Sequence, residues 1–120
     1  MTIKDVCNSE YSRVLFGDFL DEFYREKDKQ LQINMINEEP NFNKDNKIFL
    51  VEMAAVVHKL SNDYHLPVPS WVFKEQYFLS VPFYAFDTKN KDYQKFLMET
   101  SPKEYAQRNI FYGNNVLRRV

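Results

Sequence analysis

Apolar residues recur through the first half of the chain at helical spacing. Between Tyr11 and Arg25 they fall at 11, 15, 19 and 23 and again at 16, 20 and 24, a stripe two residues wide, with Asn8 and Ser9 as natural N-caps. Leu31, Met35 and Ile36 carry a second helical stretch over about Lys27 to Asn37, and Pro40 ends it. Asn41 to Asn46 is a polar linker. Lys47 to Tyr64 then places Phe49, Met53, Val56, Val57, Leu60 and Tyr64 on one face, while Ala54 and Ala55 leave room for another helix to approach closely. Pro67 and Pro69 stop it.

From Pro67 the texture changes. Pro67-Val68-Pro69 should be extended, because each proline fixes its own φ and restricts the residue before it. Seven aromatics follow between Trp71 and Phe86, around a short helical turn near Lys74 to Leu79 and irregular chain at Pro82. Lys91 to Glu99 reads as a short helix with Tyr93, Phe96 and Leu97 inward. In Ser101-Pro102-Lys103-Glu104 the pattern is that of a capping box, with Ser101 as N-cap and Glu104 reaching back, so a helix is expected from Pro102. Ile110-Phe111-Tyr112 reads as a brief extended or buried stretch, Gly113 as a turn, and Val116-Leu117 as a last helical turn. The expected fold is all-α. One compact domain spans residues 1–120, with residues 1–8 disordered, and a long central helix is packed by N-terminal helices and by an aromatic, proline-punctuated wrap with short helices.

Composition narrows this little further. The chain has 120 residues, 44% hydrophobic and 28% charged, so one ordinary core suffices without disulfides or metal. Two glycines leave little material for tight hairpins or phosphate-cradling loops, which argues against an all-β fold. Cys7 is the only cysteine, fitting a reducing compartment. There is no signal-peptide pattern, and the longest apolar run, Ile48 to Val57, is broken by Glu52. A cytoplasmic location is expected. The net charge of −1 is unevenly placed: residues 18–47 hold eight acids against five bases, and residues 89–120 hold seven bases against three acids. A basic excess that small reads as a solvated face before a nucleic-acid surface.

Candidate chemistry is sparse. His58 and His65 are seven residues apart across a helix end and do not match the spacing that lets two histidines share a metal. Cys7 lies in an N-terminus expected to be mobile, and no glycine-flanked serine occurs. Asp87-Thr88-Lys89 after an apolar run resembles half of a metal-dependent nuclease site but reads more naturally as a solvated loop. No enzyme activity, metal or cofactor is expected. The aromatic segment is mostly core. Trp71, Tyr77 and Tyr84, which carry polar handles, are expected to line a protein-binding rim with Arg108 as a charged clamp. The alternative is nucleic-acid contact through Lys103, Arg118 and Arg119.

The second half carries a resemblance. Pro67-Val68-Pro69-Ser70-Trp71, then Tyr77-Phe78-Leu79, Pro82-Phe83, Glu99-Thr100-Ser101-Pro102, Glu104-Tyr105, Arg108-Asn109-Ile110-Phe111 and a closing Asn115, Leu117, Arg119 and Val120 follow in order. The chain thereby resembles an uncharacterised bacterial domain found C-terminal to the helix-turn-helix of phage-repressor-type regulators, and as stand-alone proteins in loci that look like toxin–antitoxin pairs. The likeness covers about residues 50–120, and Asp18 to Tyr24 more loosely. Pro82-Phe83-Tyr84 stands where the family has Pro-Trp-Phe, and Ala106-Gln107 stands where it often has two bases, which weakens a polyanion-binding role. The resemblance implies a regulatory or antitoxin-like protein without assigned catalytic residues. Its expected partner is a protein, a toxin or a helix-turn-helix regulator, with nucleic acid less favoured and no membrane. Self-association stays open.

Overall fold

In the computed structural model, which describes residues 1–119, six helices enclose one core. They are α1 (Ile3–Asn8), α2 (Ser12–Arg25), α3 (Lys29–Ile36), α4 (Lys47–Asp63), α5 (Lys91–Thr100) and α6 (Lys103–Ala106). The only regular strands among the described residues, β1 (Phe83–Tyr84) and β2 (Ile110–Phe111), form a two-residue parallel ladder with Phe83 opposite Ile110. The fold is therefore all-α in class. No helix among the described residues is long and apolar enough to cross a membrane.

The centre is α4. Val51, Met53, Ala54, Ala55, Val56 and Val57 are fully buried, and the helix is apolar nearly all round because α1, α6 and two 3-10 turns, Ser70–Phe73 and Glu75–Tyr77, pack on it. It ends where expected. His65 takes a left-handed φ of 57°, and the Leu66 N–H then reaches back to the Ser61 carbonyl at 2.8 Å.

The first eight residues correct an expectation, for they are not disordered. Thr2 Oγ1 accepts from the Asp5 N–H at 3.2 Å, and Asp5 Oδ2 accepts from the Thr2 N–H at 3.0 Å. This capping box starts α1, which buries Ile3, Val6 and Cys7. Asn8 therefore belongs to α1, and the Ser9 hydroxyl accepts from the Tyr11 N–H at 3.0 Å instead of capping α2. Cys7 is a buried thiol pushed up to about 12 by burial, with Glu52 adding to the rise, so it is unreactive.

The expected capping box at Ser101 does not form. Ser101 ends α5: its N–H and its hydroxyl both donate to the Leu97 carbonyl, at 3.0 and 2.6 Å. Its oxygen also accepts from the Gly113 N–H at 2.9 Å. Glu104 turns inward and accepts from the Asn62 amide at 2.8 Å. Helix α6 starts one residue later than expected, with Pro102 as an N-cap that makes no side-chain bond. Beyond β2, residues 114–117 form a turn and not a helix. The tail is held to α2: the Tyr24 hydroxyl donates to the Leu117 carbonyl at 2.6 Å, and Arg119 makes a two-pronged contact with Asp21 at 2.9 and 3.1 Å. At Gly17 a Cβ would lie only 3.1 Å from the Arg119 guanidinium, so the glycine leaves α2 open to that side chain.

Candidate functional site

Glu52 lies in the middle of α4 with 4% of its surface exposed. A carboxylate at such a position needs a cation, and α2 supplies it. Arg13 donates to both oxygens, at 3.0 and 2.8 Å, with its guanidinium 4.8 Å from the Phe49 ring centre. Burial pushes the Glu52 carboxyl above its ordinary range, and Arg13 pulls it back without cancelling the rise. The Arg13 side chain is 61% exposed and forms one wall of a cleft of about 350 Å³. Glu52, Ala85, Phe86, Tyr93, Tyr112, Asn115 and Val116 complete the lining.

At the cleft lies an aromatic shelf. Phe86 has φ 59° and ψ 17°, and Asp87 has φ 50°, so two consecutive non-glycine residues are left-handed at a cost of about 1–2 kcal/mol each. The effect is to leave the Phe86 ring 90% exposed. Helix α5 begins just beyond, capped by Asn90, whose side chain accepts from the Tyr93 N–H at 2.9 Å. Tyr93 and Phe96, expected inward, are exposed, and of α5 only Leu97 is buried. The reason is that α5 rests chiefly on short β2, a contact too narrow to cover neighbouring rows of the helix. The Tyr93 and Phe96 rings stack on each other, with centres 6.3 Å and planes 12° apart.

Three of the four expected rim residues are interior. The Trp71 Nε1–H donates to the Ile36 carbonyl at 3.3 Å, and the Tyr77 hydroxyl donates to Glu39 at 2.8 Å. Both fasten the wrap onto the end of α3 and cannot anchor a partner on the surface of this fold. Arg108 is fully buried: it donates to the carbonyls of Glu104 and Val72, both at 2.8 Å, and lies 4.8 Å from the Phe78 ring centre. Its position rules out the role of an exposed clamp. Burial lowers its guanidinium to about 10. Tyr84 is half-buried, stacked on Phe111 at 5.5 Å, with its hydroxyl 3.6 Å from the Met98 sulfur.

Of the basic alternative, Lys103 and Arg118 are exposed, while Arg119 is engaged by Asp21. His58 is half-buried, edge-on to Phe73, and its Nδ1 faces Arg108; His65 is exposed in its turn. Asp87 and Lys89 pair with each other at 3.1 Å on the surface. Among the described residues no three His, Cys, Asp or Glu side chains group as a metal site requires.

The cleft and shelf join residues that the sequence reading did not bring together: Arg13, Glu52, Phe86, Tyr93, Phe96 and Tyr112. One signal was present, the lone acid Glu52 inside an apolar helix, which had to meet a cation. Chemically the cleft offers two phenols and a carboxylate already paired, with no histidine in the lining to activate a nucleophile. No family model, curated protein or solved structure matches the chain.

Proposed function

We propose that this protein is a non-enzymatic regulatory or antitoxin-like protein of the cytoplasm that acts by binding another polypeptide. The observation that carries this reading is Phe86, held in an unfavourable backbone conformation with its ring in solvent at the cleft it shares with Tyr93, whose own ring stacks on exposed Phe96. Exposed aromatics gathered on one shelf are the residues that anchor protein interfaces. The regulatory sense comes from the resemblance of residues 50–120 to the domain of repressor-type regulators and toxin–antitoxin loci. Nucleic-acid binding draws less support, since Arg119 is paired within the chain and residues 86–100 hold three acids against three bases.

The test is affinity recovery from the native host with the wild-type chain and with a Phe86→Ala/Phe96→Ala double variant, at low and high salt and after nuclease treatment. A stoichiometric polypeptide held by the wild type and lost from the equally stable variant is the expected result. Recovery of nucleic acid with no such polypeptide would overturn the reading.

A further inference from the structure

The cleft at Arg13 combines aromatic walls with a polar floor. Phe86, Tyr93 and Tyr112 line it from three separate segments. Tyr112 packs against Phe83 and Tyr105, at 6.2 and 6.1 Å, and Tyr93 on Phe96. Among the described residues none of the three lining rings packs on another, so the space between them is open to a flat group. Its volume of about 350 Å³ lies at the small end of ligand sites, which run from roughly 300 to 1,000 Å³. The strain at Phe86 points to the same place. Its left-handed turn gains one backbone bond, from the Thr88 N–H to the Ala85 carbonyl at 3.2 Å, and leaves the ring at the cleft in solvent. Backbone strain with so little internal compensation collects at ligand sites.

The floor sets the polarity of such a group. Arg13 gives two of its N–H groups to Glu52, and among the described residues its remaining donors have no partner. Each Glu52 oxygen, having accepted one of those bonds, keeps the capacity to accept another. Donors and an acceptor therefore stand side by side in the lining. An anion there would compete with buried Glu52 for its single cation, and a cation would meet Arg13. An uncharged ring edge with one acceptor and one donor, as in a cyclic amide, satisfies both groups. We infer that the cleft binds a small, uncharged, flat heterocycle whose edge carries a carbonyl beside an N–H. The carbonyl accepts from Arg13, the N–H donates to Glu52, and the ring lies among Phe86, Tyr93 and Tyr112. The inference goes beyond the protein-binding reading and does not depend on it.

Three probes test it: quinazolinone, which has the amide edge, its N-methyl derivative, which lacks the N–H, and naphthoate, which is an anion of similar shape. Each is titrated into the ¹⁵N-labelled full chain while amide shifts are followed. Quinazolinone should move the amides of Arg13, Glu52, Phe86 and Tyr112 selectively, and the N-methyl derivative should bind roughly tenfold or more weakly. Arg13→Lys, which loses the fork, and Phe86→Ala, which loses a wall, should each weaken quinazolinone binding severalfold. Melting curves accompany both variants, and Phe86→Ala, at an exposed position, decides the matter if Arg13→Lys lowers stability. Equal binding of quinazolinone and its N-methyl derivative would overturn the inference, as would tighter binding of naphthoate. No shift at the cleft with quinazolinone would overturn it too. In each case the docking reading still stands or falls on the recovery experiment.

Discussion

The Val72 carbonyl accepts a 2.8 Å hydrogen bond from Arg108, thirty-six residues further along and fully buried. One planar fork thus closes the proline-punctuated wrap onto α6, since its other arm donates to the Glu104 carbonyl. Arg108→Ala strands both carbonyls without donors and should cost about 3 kcal/mol. Arg108→Lys keeps the charge but not the fork, and should recover less than half of that. Chemical denaturation measures both. A lysine variant as stable as the wild type would mean that charge, and not geometry, holds the wrap.

Acid should loosen the same corner. Burial lowers His58 below its ordinary value of 6.5, with Arg108 adding to the effect, so the folded chain favours the neutral ring that accepts from Arg108 at 3.1 Å. Between the ordinary value and the lower folded one, the unfolded chain binds more protons. Stability is therefore lost as pH falls below about 6.5 and levels off once the folded ring is also protonated. The fall in melting temperature from pH 7.5 to 5.5 should be larger in the wild type than in His58→Gln. Glu52, whose raised carboxyl gives the opposite slope, is common to both proteins and cancels in the comparison.

Arg13→Ala removes the only cation paired with Glu52. Because Arg13 is mostly exposed, water can enter the cleft, and the loss should be about 1–2 kcal/mol at neutral pH, below that of a fully buried pair. It should shrink as the pH falls and the unpaired carboxyl, already raised by burial, takes a proton. A pH-independent loss would show that packing on Phe49, and not charge, is what Arg13 contributes.

Two hydroxyls should exchange the roles that sequence pattern suggests for them. Thr2→Ala should cost about 1 kcal/mol through loss of the α1 cap. Ser101→Ala should speed hydrogen exchange at the Gly113 amide and leave that of Glu104 unchanged. The reverse pattern would restore Ser101 as a helix start.

Thr2 and Ser101 also mark what the chain discloses. The extents of helices α2 to α5 were legible from their apolar spacing, and α4 matches within a residue, but the inward face of α5 was not. Capping patterns of four residues were not, because they carry no information about competing partners. Ser101 was already claimed by Leu97 and Gly113, whereas Thr2 had no rival. The site failed for a related reason. Side chains with polar handles, Trp71 and Tyr77, found carbonyl and carboxylate partners inside, while plain Phe86 and Phe96 were left outside by the short β2 support and the left-handed turn. Polarity of a ring does not decide its depth when partners come from distant segments.

Gly17 sets two demands against each other. Alanine there would gain about 1 kcal/mol in helix propensity, but its methyl would crowd the guanidinium that ties Arg119 to Asp21. That tie spans ninety-eight positions. The entropy of closing so long a loop is recovered only after the intervening helices have met, so the tail is expected to dock late in folding and to leave early in unfolding. The glycine thus costs local helix order in α2 and gives the chain its final step of closure.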